Sequence, residues 1–177
     1  MELIEKTKSA EYIYKGKILN LRKDEVVLPD GKEAKREVVE HSGGAGIVCV
    51  KDEKILLVKQ FRYPYKEIIY EIPAGKLNKG ESPEQTVKRE LLEEGGIVSE
   101  KMTEIFRIYP SPGYTDEIIY IYYAEGLTQK ENRLDEDEFL DSEWIGRKTA
   151  ERMVLSGEIK DAKTVIAVMW LKTKENL

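Results

Sequence analysis

The sequence predicts a mixed α/β or α+β sandwich preceded by a small antiparallel β unit, and three observations carry that prediction. Short runs of β-formers recur along the chain, helical signals appear in only three places, and the two do not alternate as a repeating βαβ unit would. The length, 177 residues, suits one domain with a small appendage, since domains run roughly 100–200 residues. No internal repeat or low-complexity linker divides it.

The first forty residues read as extended. Tyr12-Ile13-Tyr14, Ile18 to Leu21, Glu25 to Leu28 and Arg36 to His41 cluster or alternate β-formers, with turns at Lys15-Gly16-Lys17 and Pro29-Asp30-Gly31. Ser42-Gly43-Gly44 breaks the pattern. We therefore place a boundary there, with residues 1–43 as an N-terminal β domain and 44–177 as the main domain. A forty-residue unit buries too little to fold alone, so it must pack on the rest or on a partner chain. Ala45 to Val50 and Lys54 to Gln60 read as a buried hairpin, and Glu67 to Ile72 as a shorter extended stretch. Ser82 then offers an N-cap, Pro83 the first helical position and Gln85 the other half of a capping box, with Gly95-Gly96 as the stop. Ile105 to Tyr109 and Glu117 to Ala124 read as strands around the loop Pro110-Ser111-Pro112-Gly113. Two helices follow, near Lys148 to Ser156 and Asp161 to Leu171. In the second, Ala162, Val165, Ile166, Met169 and Trp170 form the expected inward face.

Composition narrows the chemistry. A net charge of −5 argues against nucleic acid or an anionic membrane as partner. No apolar run approaches the roughly 18 residues of a membrane span, and the start is charged, so a cytoplasmic location is expected. The single cysteine, Cys49, lies in an apolar run and reads as a buried small hydrophobe. The single histidine, His41, excludes any site needing several imidazoles. Carboxylates, arginines, lysines and a metal must carry the chemistry.

The helix after Ser82 is the informative segment. Pro83, Val87 and Leu91 define its apolar stripe, and Glu90 and Glu94 project beside Val87, toward the protein. They repel each other at i, i+4 and stand in the half of the helix whose dipole disfavours anions. Glu84 with Lys88 is an ordinary surface pair. Inward, mutually repelling carboxylates make sense around a cation, and oxygen-only ligands point to Mg²⁺ or Mn²⁺. Magnesium held by a few carboxylates completes its shell with water and phosphates, so a phosphorylated substrate follows.

Gly75, Glu81, Arg89-Glu90-Leu91, Glu93-Glu94 and Gly96-Ile97 stand at the spacing G-x5-E-x7-R-E-U-x-E-E-x-G-U, where U is aliphatic. This resembles the box of the Nudix hydrolases. Arg36-Glu37-Val38-Val39, Gln60-Phe61-Arg62, Pro73-Ala74-Gly75 and Ser111-Pro112-Gly113 further resemble the ADP-ribose pyrophosphatase branch. The resemblance implies a Nudix α/β/α sandwich with a mixed sheet, and Mg²⁺-dependent hydrolysis of ADP-ribose to AMP and ribose 5-phosphate. It implies Glu90 and Glu94 as principal metal ligands, Glu93 assisting, and the Ala74 carbonyl completing the site. Arg89 would orient the loop by pairing with Glu81 or Glu93. Pro112, about fifteen positions after the box, marks ADP-ribose preference, with Gly113 beside it. Arg36 and Glu37 lie where the branch binds adenine and ribose, commonly across a homodimer with exchanged N-terminal strands.

A water attacking a pyrophosphate also needs a base within hydrogen-bond reach, and the helix glutamates are committed to metal. Asp135-Glu136-Asp137-Glu138 is the remaining source; the branch takes its base from a late acidic loop, where Glu138 fits best and Glu136 second. The plain alternative is a solvated acidic loop. Arg62 follows a buried strand and reads as a bidentate phosphate contact, with a structural ion pair as the alternative. Competing functions are a Nudix enzyme acting on sugar nucleotides, dinucleoside polyphosphates or capped RNA, and a non-catalytic ADP-ribose-sensing module.

Overall fold

The computed structural model describes residues 3–131 and 139–174. The chain divides into two compact units, one of residues 1–43 with 109–118, the other of residues 44–108 with 119–177.

The first unit is a three-stranded antiparallel sheet of β1 (Lys6–Lys15), β2 (Leu19–Val27) and β3 (Glu33–His41), with β2 central. Ile18 to Leu21 and Glu25 to Leu28, two separate clusters in the sequence, belong to a single strand and its edges. Arg22 and Asp24 sit between them, and their ion pair at 2.8 Å faces inward with Asp24 buried. The loop 109–118 joins this unit through a bridge from Thr115 to Val39 and a hydrogen bond from the His41 N–H to Asp116.

The second unit is built on a mixed sheet ordered β10-β5-β4-β9-β8, with β6 on β5 and β7 on β4. Its strands are β4 (Gly44–Lys51), β5 (Lys54–Arg62), β6 (Glu67–Glu71), β7 (Ala74–Lys76), β8 (Ile97–Ile108), β9 (Ile119–Gln129) and β10 (Leu140–Gly146). Helix α1 spans Pro83–Gly95, α2 Arg147–Leu155 and α3 Ala162–Lys174. β4 and β5 form the expected hairpin only at its tip, from Val50↔Ile55 to Lys51↔Lys54. Beyond it they part, β4 pairing in parallel with β9 and β5 pairing with β10.

The side-chain period of two makes the layers. Ile47, Cys49 and Leu56 pack against Val87 and Leu91 of α1, while Val48, Ile55 and Leu57 face Met153 of α2 and Val168 and Leu171 of α3. Helices thus cover both faces of the sheet, the α/β/α sandwich expected. Cys49 lies in the middle of it, and burial raises its thiol pKa well above the usual range, which leaves it inert.

One helix face departs from expectation. In α3 the buried residues are Lys163, Thr164, Ala167, Val168 and Leu171, whereas Ala162 is exposed. Val165, Ile166 and Trp170 pack only partly against the core. The helix is apolar around most of its circumference, so its polar contacts set the rotation. The Thr164 hydroxyl accepts the Ile72 N–H at 2.8 Å, and Lys163 pairs with the buried Glu71.

Candidate active site

Local chemistry forms α1 where the sequence places it. The Ser82 hydroxyl accepts the Gln85 N–H, the Gln85 side chain accepts the Ser82 N–H, and Gly96 ends the helix in the left-handed region at φ 59°. Glu84 pairs with Lys88 at 2.5 Å on the surface. With both ends fixed, Thr86, Val87, Glu90, Leu91 and Glu94 are buried.

Glu90 is 4% exposed and Glu94 is 3% exposed. Both carboxylates reach the backbone of β7. Glu94 Oε2 accepts the Ala74 N–H at 2.8 Å. Glu90 Oε1 occupies the place where a Cβ on residue 75 would sit, 1.6 Å from that position. Only glycine at 75 lets the carboxylate come so close to the chain, which is the physical reason for Gly75 at the head of the box.

Arg89 organises what lies around them. Its guanidinium donates to both oxygens of Glu81, at 3.0 and 3.1 Å, to Glu90 Oε1 at 2.6 Å and to Glu93 Oε2 at 3.0 Å. A further hydrogen bond reaches the Lys76 carbonyl at 3.4 Å. Of the two partners expected for Arg89, the structure gives it both, and Glu90 in addition. The Arg89 hydrogen bonds hold the Glu81 carboxyl down at about 2, helped by the Asn78 N–H, and the surrounding carboxylates raise the guanidinium further.

The donors fit a hard divalent cation. They are oxygens only, two of the carboxylates are buried on one helix face, and among the described residues three glutamates share the single arginine Arg89. Among the described residues no three Cys, His, Asp or Glu side chains converge as a complete cage. Mg²⁺ does not need one, because it binds through one or two carboxylates and completes its shell with water and substrate phosphates.

Arg62 has a carboxylate partner. Its Nε and Nη2 donate to Glu71 at 2.5 and 2.9 Å, so the structural ion pair is the arrangement seen. Glu71, 2% exposed, also receives Lys163, which pairs with Asp161 at 3.0 Å. Burial pushes the Glu71 carboxyl up, but Arg62 and Lys163 together outweigh it and the net shift is downward. The negative charge of Glu94 is also felt at Arg62. Sequence reasoning missed Glu71, Lys163 and Asp161. Lys163 and Thr164 share one side of α3 with Ala167, Val168 and Leu171, and the apolar pattern of the helix alone does not select that side.

Of the expected substrate residues, Arg62 lies in the second unit, and Arg36, Glu37, Pro112 and Gly113 lie in the first. Arg36, Glu37 and Gly113 line a cavity of about 350 Å³ together with Lys23, Lys35 and Tyr114, and Pro112 precedes Gly113 on the same exposed loop. Arg36 is held by Glu5 at 2.5 and 2.9 Å. Tyr114 is the one aromatic residue in that lining. The acidic run with Glu136 and Glu138 lies outside the described residues.

Comparison with known proteins identifies the family. The NUDIX domain matches residues 40–167, and the nucleoside diphosphate sugar hydrolase N-terminal domain matches residues 5–39. An ADP-ribose pyrophosphatase of Bacillus subtilis (strain 168) is 47% identical over 178 residues, 99% of this chain and 96% of that protein. A methanol dehydrogenase activator of Bacillus methanolicus is 45% identical over 176 residues, 98% of this chain and 95% of that protein. The crystal structure of an ADP compounds hydrolase shares the fold, with a TM-score of 0.84 over 98% of this chain and 97% of that one at 19% identity. The intact box on α1, the sandwich that carries it and these matches agree: the chain belongs to the Nudix family of pyrophosphohydrolases.

Proposed function

We propose that this Nudix enzyme hydrolyses the pyrophosphate bond of ADP-ribose to AMP and ribose 5-phosphate, with Mg²⁺ as its metal. The observation that carries the reading is the pair Glu90 and Glu94, both buried and both set against the Ala74-Gly75 backbone. Full-length identity to a named ADP-ribose pyrophosphatase supports the substrate.

Nudix hydrolases generally need a divalent metal. Glu90 and Glu94 would hold it, with Glu93 and the Ala74 carbonyl assisting. When bound, the cation neutralises phosphoryl oxygens and makes a coordinated water easier to ionise. Arg89 fixes Glu90 and Glu93 in place, so that the carboxylates do not reorganise as substrate arrives. Glu138, or Glu136 two residues before it, takes the proton of the attacking water. Lys23, Lys35 and Arg36 supply positive charge for the nucleotide, Glu37 accepts from ribose hydroxyls, and Tyr114 stacks on adenine above the Pro112-Gly113 turn.

Residues 1–43 serve dimerisation and substrate binding in this reading. Every residue of β1 is exposed, including Tyr12, Ile13 and Tyr14, a face that suits a second copy in a homodimer. Among the described residues no helix is long and apolar enough to cross a membrane, and we place the enzyme in the cytoplasm.

The test is incubation of purified protein with ADP-ribose, a sugar nucleotide such as GDP-mannose, and dinucleoside polyphosphates, each with Mg²⁺, followed by product chromatography. AMP and ribose 5-phosphate should form fastest. A faster reaction with another compound would assign the site to that compound. Binding of ADP-ribose without any cleavage would make the chain a sensing module.

A further inference from the structure

Among the described residues Glu71 is the most deeply buried carboxylate outside the helix box, and its surroundings are unequal. Two cations meet its two oxygens. Arg62 takes both with a fork, Nε on Oε1 at 2.5 Å and Nη2 on Oε2 at 2.9 Å, while Lys163 adds its ammonium to Oε2. The two cations differ in exposure. The Arg62 side chain is 41% exposed at the end of β5, whereas that of Lys163 is 10% exposed in the first turn of α3.

Lys163 is held by local contacts. Asp161 pairs with its ammonium at 3.0 Å and at the same time caps α3, accepting the Thr164 N–H at 3.0 Å and the Thr164 hydroxyl at 2.6 Å. That hydroxyl in turn accepts the Ile72 N–H at 2.8 Å, which ties the first turn of α3 to the residue following Glu71. Two residues further on, the Ala74 N–H holds Glu94. The carboxylate that Arg62 grips is therefore part of the same short run of chain that supports the box glutamates.

A buried carboxylate cannot give up its sole cation cheaply, because an uncompensated charge would be left out of water. Glu71 has two, so Arg62 is removable. We propose that Lys163 is a positioning residue for substrate: it is the standing counter-cation of Glu71, and by keeping that charge compensated it lets the Arg62 guanidinium exchange the carboxylate for a phosphate of the substrate. This rests on the pyrophosphate reading above and adds to it the source of the phosphate-binding arginine. The two alternatives for Arg62, ion pair and phosphate contact, become successive states of one side chain. Lys163 touches no substrate atom in this scheme.

The experiment compares Lys163→Met, Lys163→Arg and the double variant Glu71→Gln/Lys163→Met with the wild type. The probe is the non-hydrolysable α,β-methylene analogue of ADP-ribose, titrated by calorimetry with Mg²⁺ present, and steady-state kinetics give the division between KM and kcat. With Lys163 gone, Arg62 is trapped on Glu71, so Lys163→Met should weaken analogue binding roughly 10–100-fold, with KM rising more than kcat falls. Lys163→Arg should bind within a few-fold of wild type, because it keeps the charge. The double variant removes the trap together with the counter-cation and should recover most of the lost affinity. A purely structural role for Lys163 would lower thermal stability in the single variant and gain nothing from the second substitution. A folded Lys163→Met that binds as tightly as wild type overturns the inference. So does a double variant no better than the single one, and this comparison stands even where Lys163→Met itself folds poorly. Wild-type protein that does not bind the analogue overturns this inference and the proposed function together. Binding without turnover of ADP-ribose overturns only the proposed function.

Discussion

Two clusters of charge in the second unit are built on opposite plans. At α1 one arginine, Arg89, serves three carboxylates, Glu81, Glu90 and Glu93, with Glu94 buried alongside. At the start of α3 one carboxylate, Glu71, serves two cations, Arg62 and Lys163, and Asp161 balances the lysine. Among the described residues the first cluster sets more carboxylates than cations together, an arrangement that suits a site where a cation is to be bound. The second is neutral, two carboxylates against two cations, and Glu71 touches both cations. Excess charge marks a place for a metal, and a carboxylate with two cation partners leaves the more exposed one, Arg62, able to turn to an anion. The predictions below probe this contrast.

Glu94→Gln should have the largest effect. The amide oxygen can still accept the Ala74 N–H, so the local backbone survives, while a metal charge and the repulsion with Glu90 both disappear. Turnover of ADP-ribose should fall to background, and thermal stability without metal should hold or rise slightly. Near-normal turnover at saturating Mg²⁺ would remove Glu94 from the metal site.

Next in size is Glu138→Gln, for which kcat should fall roughly 10²–10⁴-fold with the acidic limb of the pH–rate profile lost, the usual share of a general base. Substrate affinity should change little. Full activity in this variant, together with loss in Glu136→Gln, would move the role two positions back.

Arg89→Lys tests whether the shared fork matters or only its charge. A lysine cannot meet Glu81 with two parallel hydrogen bonds while also holding Glu90 and Glu93. Activity should drop about 10–100-fold, the typical cost of removing a group that orients metal ligands, and the Mg²⁺ concentration giving half-maximal rate should rise. An unchanged metal requirement would show that Arg89 supports the loop alone.

The two clusters also differ in how far the sequence reveals them. α1 is written locally: Ser82 with Gln85, Gly96 at the stop, and Glu90 and Glu94 beside Val87 and Leu91 are all contained in fifteen consecutive residues, 82 to 96. Helical periodicity is enough to turn those carboxylates inward. The second cluster is not local. Lys163 and Thr164 are buried because their partners, Glu71 and Ile72, stand 92 residues earlier, and nothing in the α3 pattern names them. Reading the face from its apolar residues alone therefore rotates the helix, exposing Lys163 and burying Ala162. For Arg62 the spacing left two partners open, because only the β5–β6 pairing brings Glu71 beside it. Likewise the cavity formed by Arg36, Glu37 and Gly113 depends on the loop 109–118 joining the first unit, a long-range event with no periodic signature.

The smallest effect expected is on stability against pH, and it isolates one carboxylate of the α1 cluster. Arg89 holds the Glu81 carboxyl at about 2 in the folded protein, against 4.5 for an unperturbed group. A folded-state value below the unfolded one means that the unfolded chain takes up the proton first as pH falls. The stabilisation from the pair is therefore complete above about pH 4.5, declines as acid titrates the unfolded chain, and is lost as pH passes through 2. Glu81→Gln cannot titrate, so its disadvantage to wild type should be greatest near pH 6 and should shrink steadily between pH 4.5 and 2. Melting temperatures measured across that range would show the two curves converging. Glu71 is also shifted downward, so both proteins keep a common acid slope, and only the difference between them reports on Glu81. A gap that stays constant down to pH 2 would mean that the Arg89 fork gives Glu81 no preference for the charged form, and the α1 cluster would then owe its order to packing alone.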